Sequence, residues 1–168
     1  ANAQFVYSLN LSDGKVAWQY PLQANSKMSF FSNPTVAPNG LVIIGSVGVD
    51  HSLFAIDPTK FPTTPVQPVS GIQQFFCNIG LASCPQYHVE AWIFTGAKDH
   101  WVASQLIVND TVFAPNADGN LYILSLKDGS LIKKITIDTK GQSRLWGQPV
   151  TDGKRVFITS LDRSVVAI

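Results

Sequence analysis

Three short stretches hold the residues most able to do chemistry. Lys98-Asp99-His100-Trp101 sets a carboxylate beside an imidazole beside an indole, a group suited to proton transfer or to stacking a planar cofactor. Arg144 and Trp146 offer a second indole with a cation next to it. Asp50-His51 repeats the carboxylate and imidazole pair inside a turn, where the plainer reading is a solvated loop. Cys77 and Cys84 lie in one loop with Gly80, Ala82 and Ser83 between them, a spacing that a disulfide can close. Zinc would need further ligands, and only His88 is near. Asp118-Gly119-Asn120 lacks the regular oxygen spacing of a calcium loop and reads as a turn.

The elements that must position these residues are repeats. Four apolar anchors align: Val6-Tyr7-Ser8-Leu9, Leu53-Phe54-Ala55-Ile56, Leu121-Tyr122-Ile123-Leu124 and Val165-Val166-Ala167-Ile168. After the first and third comes a polar turn with Asp13-Gly14 or Asp128-Gly129, then a second β-rich run, which together predict a hairpin. Ahead of the last three anchors runs another shared pattern, from Asn33, Ser104 and Gln148, in which Asn39-Gly40, Asn109-Asp110 and Asp152-Gly153 mark a second turn. Two hairpins every roughly 40–50 residues predict four antiparallel strands per unit, the period of propeller blades.

The run Ser8-x-Asn10-x-x-Asp13-Gly14-Lys15-x-x-Trp18 resembles the tryptophan-docking motif of pyrroloquinoline-quinone-like β-propeller repeats, and the upstream Pro-x-Val-x-x-Asn/Asp-Gly pattern is similar to the rest of that repeat. The resemblance implies an all-β fold: a partial blade at 5–22, a full blade at 32–96 carrying an insertion at 58–90, a full blade at 102–137, and a partial blade at 147–168. It also implies that Trp18 and Trp92 dock one blade on the next, with Lys133 at that position in the third copy. The segment leading into each innermost strand then lies at the mouth of the central channel, which would bring Asp99, His100, Trp101, Arg144 and Trp146 to one surface. Since the same repeat serves dehydrogenases and non-catalytic scaffolds, it speaks for fold ahead of function.

The insertion carries Pro58, Pro62, Pro65, Pro68 and Pro85, and its Phe75, Phe76, Ile79, Leu81 and Tyr87 are too apolar for a solvated tail. It is expected to pack, either on its own blade edge or, through Phe75, Phe76 and Tyr87, against a partner protein. A net charge of +1 with scattered basic residues argues against nucleic acid. No apolar run approaches the roughly 18–20 residues that span a bilayer. The sequons at Asn10 and Asn109, the latter at a hairpin tip, join the cysteine pair in favouring an extracytoplasmic compartment.

Strand counting gives two full blades flanked by partial ones, so the expectation is a portion of a longer propeller or one completed by another chain. The favoured function is a non-catalytic scaffold that binds other protein chains, needs no cofactor, and sits in or beside a complex, peripheral to a membrane at most. The alternative is part of a quinone-dependent alcohol or sugar dehydrogenase. In that family the quinone sits at the axis with Ca²⁺ and, in many members, against a disulfide of adjacent cysteines. Cys77 and Cys84 are not adjacent. On that reading Asp99 is the base, and Trp101 or Trp146 stacks the quinone.

Overall fold

Each Asp-Gly turn closes a hairpin because the aspartate folds back on the backbone while glycine takes the left-handed conformation. In the computed structural model, which describes residues 4–22, 27–62, 88–137 and 144–168, the Asp128 carboxylate accepts from the Ser130 N–H at 3.0 Å and from its hydroxyl at 2.7 Å. Asp13 holds Lys15 N–H in the same way at 3.0 Å. The Ser130 hydroxyl, then its N–H, then Ser125 hold the Asp128 carboxyl down to about 2. A depressed carboxylate stabilises the fold fully above its ordinary value and loses that contribution as pH falls through its folded value. Wild type is therefore expected to melt above Asp128→Ala at pH 6, with the gap closing between about pH 4 and pH 2. A gap unchanged at pH 2 would refute the turn's role.

The described strands form four antiparallel sheets. The first pairs β1 (Val6–Leu9) with β2 (Val16–Tyr20). The second runs in order β3 (Thr35–Val36), β4 (Val42–Gly45), β5 (Leu53–Ile56), β6 (Glu90–Phe94). The third contains β7 (Leu106–Val108), β8 (Thr111–Pro115), β9 (Asn120–Ser125) and β10 (Leu131–Thr136). The fourth has β11 (Val150–Thr151), β12 (Val156–Thr159) and β13 (Val165–Ala167). Every strand pairs with its chain neighbour, the meander of a propeller blade. The anchors are β1, β5, β9 and β13.

Burial follows from stacking sheet on sheet. Both middle strands of the second sheet, β4 and β5, are buried along their whole length because sheets cover both of their faces. Val6, Tyr20, Ile44 and Phe54 fill the space between the first and second sheets. Ile43, Ala55, Trp92, Val112, Tyr122 and Leu124 fill that between the second and third, and Leu121, Leu145, Val156 and Ile158 that between the third and fourth. Between the first two sheets, the Tyr20 hydroxyl donates to the Glu90 carboxylate at 2.8 Å. Burial first, and that carboxylate second, push the phenol far above its ordinary range, so it stays a donor.

The docking position is register-exact. Trp18 pairs with Ser8, Trp92 with Ala55 and Lys133 with Ile123, always opposite the third anchor residue. A small residue there leaves room for an indole. Trp92 is 7% exposed and its Nε1 donates to the Leu126 carbonyl of the next sheet at 2.9 Å. Trp18 stacks instead on Phe61 at 4.6 Å, where the insertion has replaced the Asp-Gly turn with the short 3₁₀ segment Pro58–Lys60. With Lys133 in the third copy, a cleft of about 410 Å³ stays open between the third and fourth sheets, lined by Phe113, Ile123, Lys133, Ile135, Arg155 and Ile168 among others.

Cys77, Cys84, Phe75, Phe76 and Tyr87, with the disulfide and partner surface expected of them, lie outside the described residues. No helix among the described residues is long and apolar enough to cross a membrane.

Candidate functional site

One main-chain contact fixes the candidate residues in three of the four repeats. The N–H groups of Val47, Ala117 and Leu161, each the second residue of the loop between the two middle strands, donate to the carbonyls of Ser29, His100 and Arg144 at 2.7, 3.0 and 3.2 Å. Loops from two chain positions thereby meet at one end of the sheets. Because the bond uses backbone atoms, the side chain at this position is free to be serine, histidine or arginine.

The next residue in each copy is a core plug. Phe30, Trp101 and Leu145 are 4%, 0% and 0% exposed. The Trp101 indole lies near the rings of Phe94 and Tyr122, its Cβ against Gly45, and its Nε1 donates to the His51 carbonyl at 2.8 Å. This corrects the expectation that Trp101 stacks a cofactor: the repeat frame turns that position inward, and no face of the ring is open to a planar ligand. One residue further on, Phe31 and Trp146 are 64% and 44% exposed. Trp146 thus keeps an open face, with the Arg144 guanidinium 6.0 Å from the centre of its ring. The two members of the expected stacking pair have opposite environments.

Asp99 and His100 are half-buried at the same end. The Asp99 carboxylate accepts from the His100 N–H at 2.7 Å and lies 3.7 Å from its Nε2. The Asp99 carbonyl accepts from Asn116 Nδ2 at 2.8 Å. Asp99 is thereby committed first to holding its own loop. Beside it, the Asp118 carboxylate accepts from the Tyr122 hydroxyl at 2.6 Å and from the Lys98 N–H at 3.3 Å, which accounts for the Asp-Gly-Asn turn without an ion.

His51 is the residue that sequence reading undervalued. Read as a solvated turn residue, it instead packs edge-on against His100, ring centres 5.0 Å apart. The signal was present in the spacing. Between the last paired residues of the middle strands lie 46–52 in the second sheet against 116–120 and 160–164 in the third and fourth, so that connection carries two extra residues. His51 takes a φ of 47°, as Gly119 and Arg163 take 81° and 71° at the same second-to-last place of their loops. The exposed Val49 and Leu161, 77% and 55% accessible, were likewise missed because they occupy turns whose main chain alone carries the repeat.

Asn109 takes the left-handed φ of 53° at an exposed hairpin tip, where β7 and β8 meet through Val108 and Thr111. Asn10 closes the first hairpin, its N–H donating to the Lys15 carbonyl at 2.8 Å.

Residues 90–168 match a family model described as outer membrane protein assembly factor BamB. No curated protein matches the chain by sequence. Among solved structures, BamB from Moraxella catarrhalis superposes over 100% of this chain and 41% of its own length, at 18% identity and a TM-score of 0.65. The computationally designed Ika8 protein does so over 98% of the chain and 39% of its own, at 12% identity and 0.64. Quinohemoprotein alcohol dehydrogenase from Comamonas testosteroni follows over 94% of the chain and 19% of its own, at 15% identity and 0.59. The chain thus spans well under half of each of these proteins.

Proposed function

Since the chain is built from repeats of the pyrroloquinoline-quinone-like β-propeller kind, we propose that it is a non-catalytic scaffold that binds other proteins during assembly of a larger extracytoplasmic complex. The observation that carries the reading is the match of residues 90–168 to a family described by outer membrane protein assembly. The geometry supports it. Phe31, Val49, Trp146 and Leu161 are exposed around the loop end, with Arg144 against Trp146. Aromatic residues and arginine are the side chains that anchor protein interfaces most often. On this reading the insertion extends the binding surface through Phe75, Phe76 and Tyr87, a Cys77 to Cys84 disulfide closes its loop in an oxidising compartment, and Asn109 is available to a glycan. The partners are other protein chains or further blades of the same propeller, and attachment to a membrane is peripheral.

The dehydrogenase reading fits less well. A quinone needs an open aromatic face and a free base beside it. Trp101 is enclosed and Asp99 is held by its own loop, which leaves Trp146 as the stacking surface without a base in contact with it among the described residues. Quinone and Ca²⁺ are accordingly left out of the proposal.

The test is site-directed photo-cross-linking in intact cell envelopes. A cross-linker at position 146 or 161 is expected to capture a defined outer-membrane assembly protein, and one at 128, in a turn at the other end of the strands, is not. Equal capture from both ends, or none, would sink the scaffold reading. Alcohol-driven dye reduction that requires added quinone and Ca²⁺ would establish the dehydrogenase instead.

A further inference from the structure

We propose that the cleft between the third and fourth sheets is a docking site for a protein segment that carries one aromatic side chain flanked by carboxylates. The repeat itself shows what fits there. On the wall formed by the third sheet, Phe113 holds the register of Ile43, Ile123 that of Ala55 and Ile135 that of Phe94, three residues of the filled seam between the second and third sheets. Lys133 holds the register of Trp92, whose indole is 7% exposed in that seam. The cleft therefore keeps the apolar wall and lacks the ring that closes it one seam earlier. Its volume of about 410 Å³ lies within the range of about 300–1,000 Å³ typical of ligand clefts. An aromatic side chain from another protein restores there the contacts that the chain's own tryptophan makes elsewhere.

Charge selects what flanks that side chain. Lys133, Lys154 and Arg155 line the cleft, and no aspartate or glutamate lines it. Arg155 is already paired with Asp152 at 3.0 Å and lies 5.5 Å from the Phe157 ring. Lys133 and Lys154 form no ion pair among the described residues. They come from different sheets, Lys133 from β10 and Lys154 from the turn between β11 and β12. A lysine keeps its ammonium in water while its stem lies along apolar surface, which leaves the mouth of the cleft positive and its walls apolar. Cations without partners around an apolar opening attract carboxylates and turn basic segments away. The turn that carries Asp128 and Gly129 packs on Trp92, at the seam with the second sheet. The cleft is thus a surface apart from position 128 and from the loop-end positions 146 and 161, and the scaffold reading does not depend on it.

The experiment is fluorescence anisotropy of a short labelled peptide in which a single tryptophan is flanked by glutamates, titrated with the full chain at low and at physiological salt. Saturable binding that weakens with salt is expected. Replacing the peptide's tryptophan with alanine, or its glutamates with lysines, is expected to weaken binding at least about tenfold. Ile123→Ala with Lys133→Trp rebuilds the pair that Ala55 and Trp92 make, so the chain closes its own cleft. Its Tm is expected to hold or rise while the peptide is no longer bound. Lys133→Glu with Lys154→Glu changes two exposed positions, so the fold is expected to stay intact and the preference to pass to the lysine-flanked peptide. The site is overturned by an absence of saturable binding, by equal affinity for the tryptophan and alanine peptides, or by a charge preference that ignores the reversal. Binding that survives Ile123→Ala with Lys133→Trp at an unchanged Tm overturns it too. So does self-association of the chain that the glutamate pair abolishes, since the occupant is then a second copy.

Discussion

Gly129→Val is expected to destabilise the chain by about 4–6 kcal/mol, a drop in Tm of roughly 10–20 °C, while Gly14→Val costs only about 1–2 kcal/mol. Both glycines close Asp-Gly turns at the same φ of 70°. The backbone penalty for a β-branched residue is therefore shared. What differs is the space. A Cβ on Gly14 meets nothing within 4 Å, whereas one on Gly129 lies 2.6 Å from Cε3 of Trp92 and 2.7 Å from its Cδ2. Valine at 129 must push the indole out of the seam between the second and third sheets and break its bond to Leu126. Paired thermal melts decide the matter. Equal losses in the two variants would mean that Trp92 does not dock on that turn.

The second large effect separates two tryptophans that look alike in sequence. Trp101→Ala is expected to cost about 3–5 kcal/mol, since it empties a fully enclosed site and strips the His51 carbonyl of its donor. Trp146→Ala, at a ring 44% exposed, is expected to stay within about 1 kcal/mol of wild type. If Trp146 anchors a protein partner, the order reverses for binding, and Trp146→Ala loses most of the cross-linking seen from neighbouring Leu161. Denaturant midpoints for both variants provide the check. A wild-type midpoint for Trp101→Ala would return that indole to the list of ligand-binding candidates.

The fold was legible because its information is local. An anchor of four mostly apolar residues in a row, an Asp-Gly turn and a closing tryptophan each leave a mark within a few residues, and the marks recur. The third anchor residue shows how far this reaches, since Ser8 and Ala55 are small for the sake of Trp18 and Trp92, and Ile123 is not because Lys133 faces it. The site was less legible for an equally physical reason. His51 and His100 come together only once two sheets stack, and nothing within either stretch records the other. Trp101 was misjudged because its tryptophan type suggested a ligand surface. Aligning it with Phe30 and Leu145, ahead of Asn33-Pro34 and Gln148-Pro149, would have marked it as core.

The carbonyl bond shared by Ser29, His100 and Arg144 has a consequence for how such a chain can change over time. A position whose structural duty is discharged by the peptide group accepts almost any side chain, and here it recurs in three successive repeats at the same end of the sheets. New chemistry can be installed there one substitution at a time, at separations dictated by the stacking of the sheets, without renegotiating the core. Duplication of a blade then multiplies such vacancies along with the fold, and the rim becomes a keyboard on which descendants differ while the frame beneath stays the same.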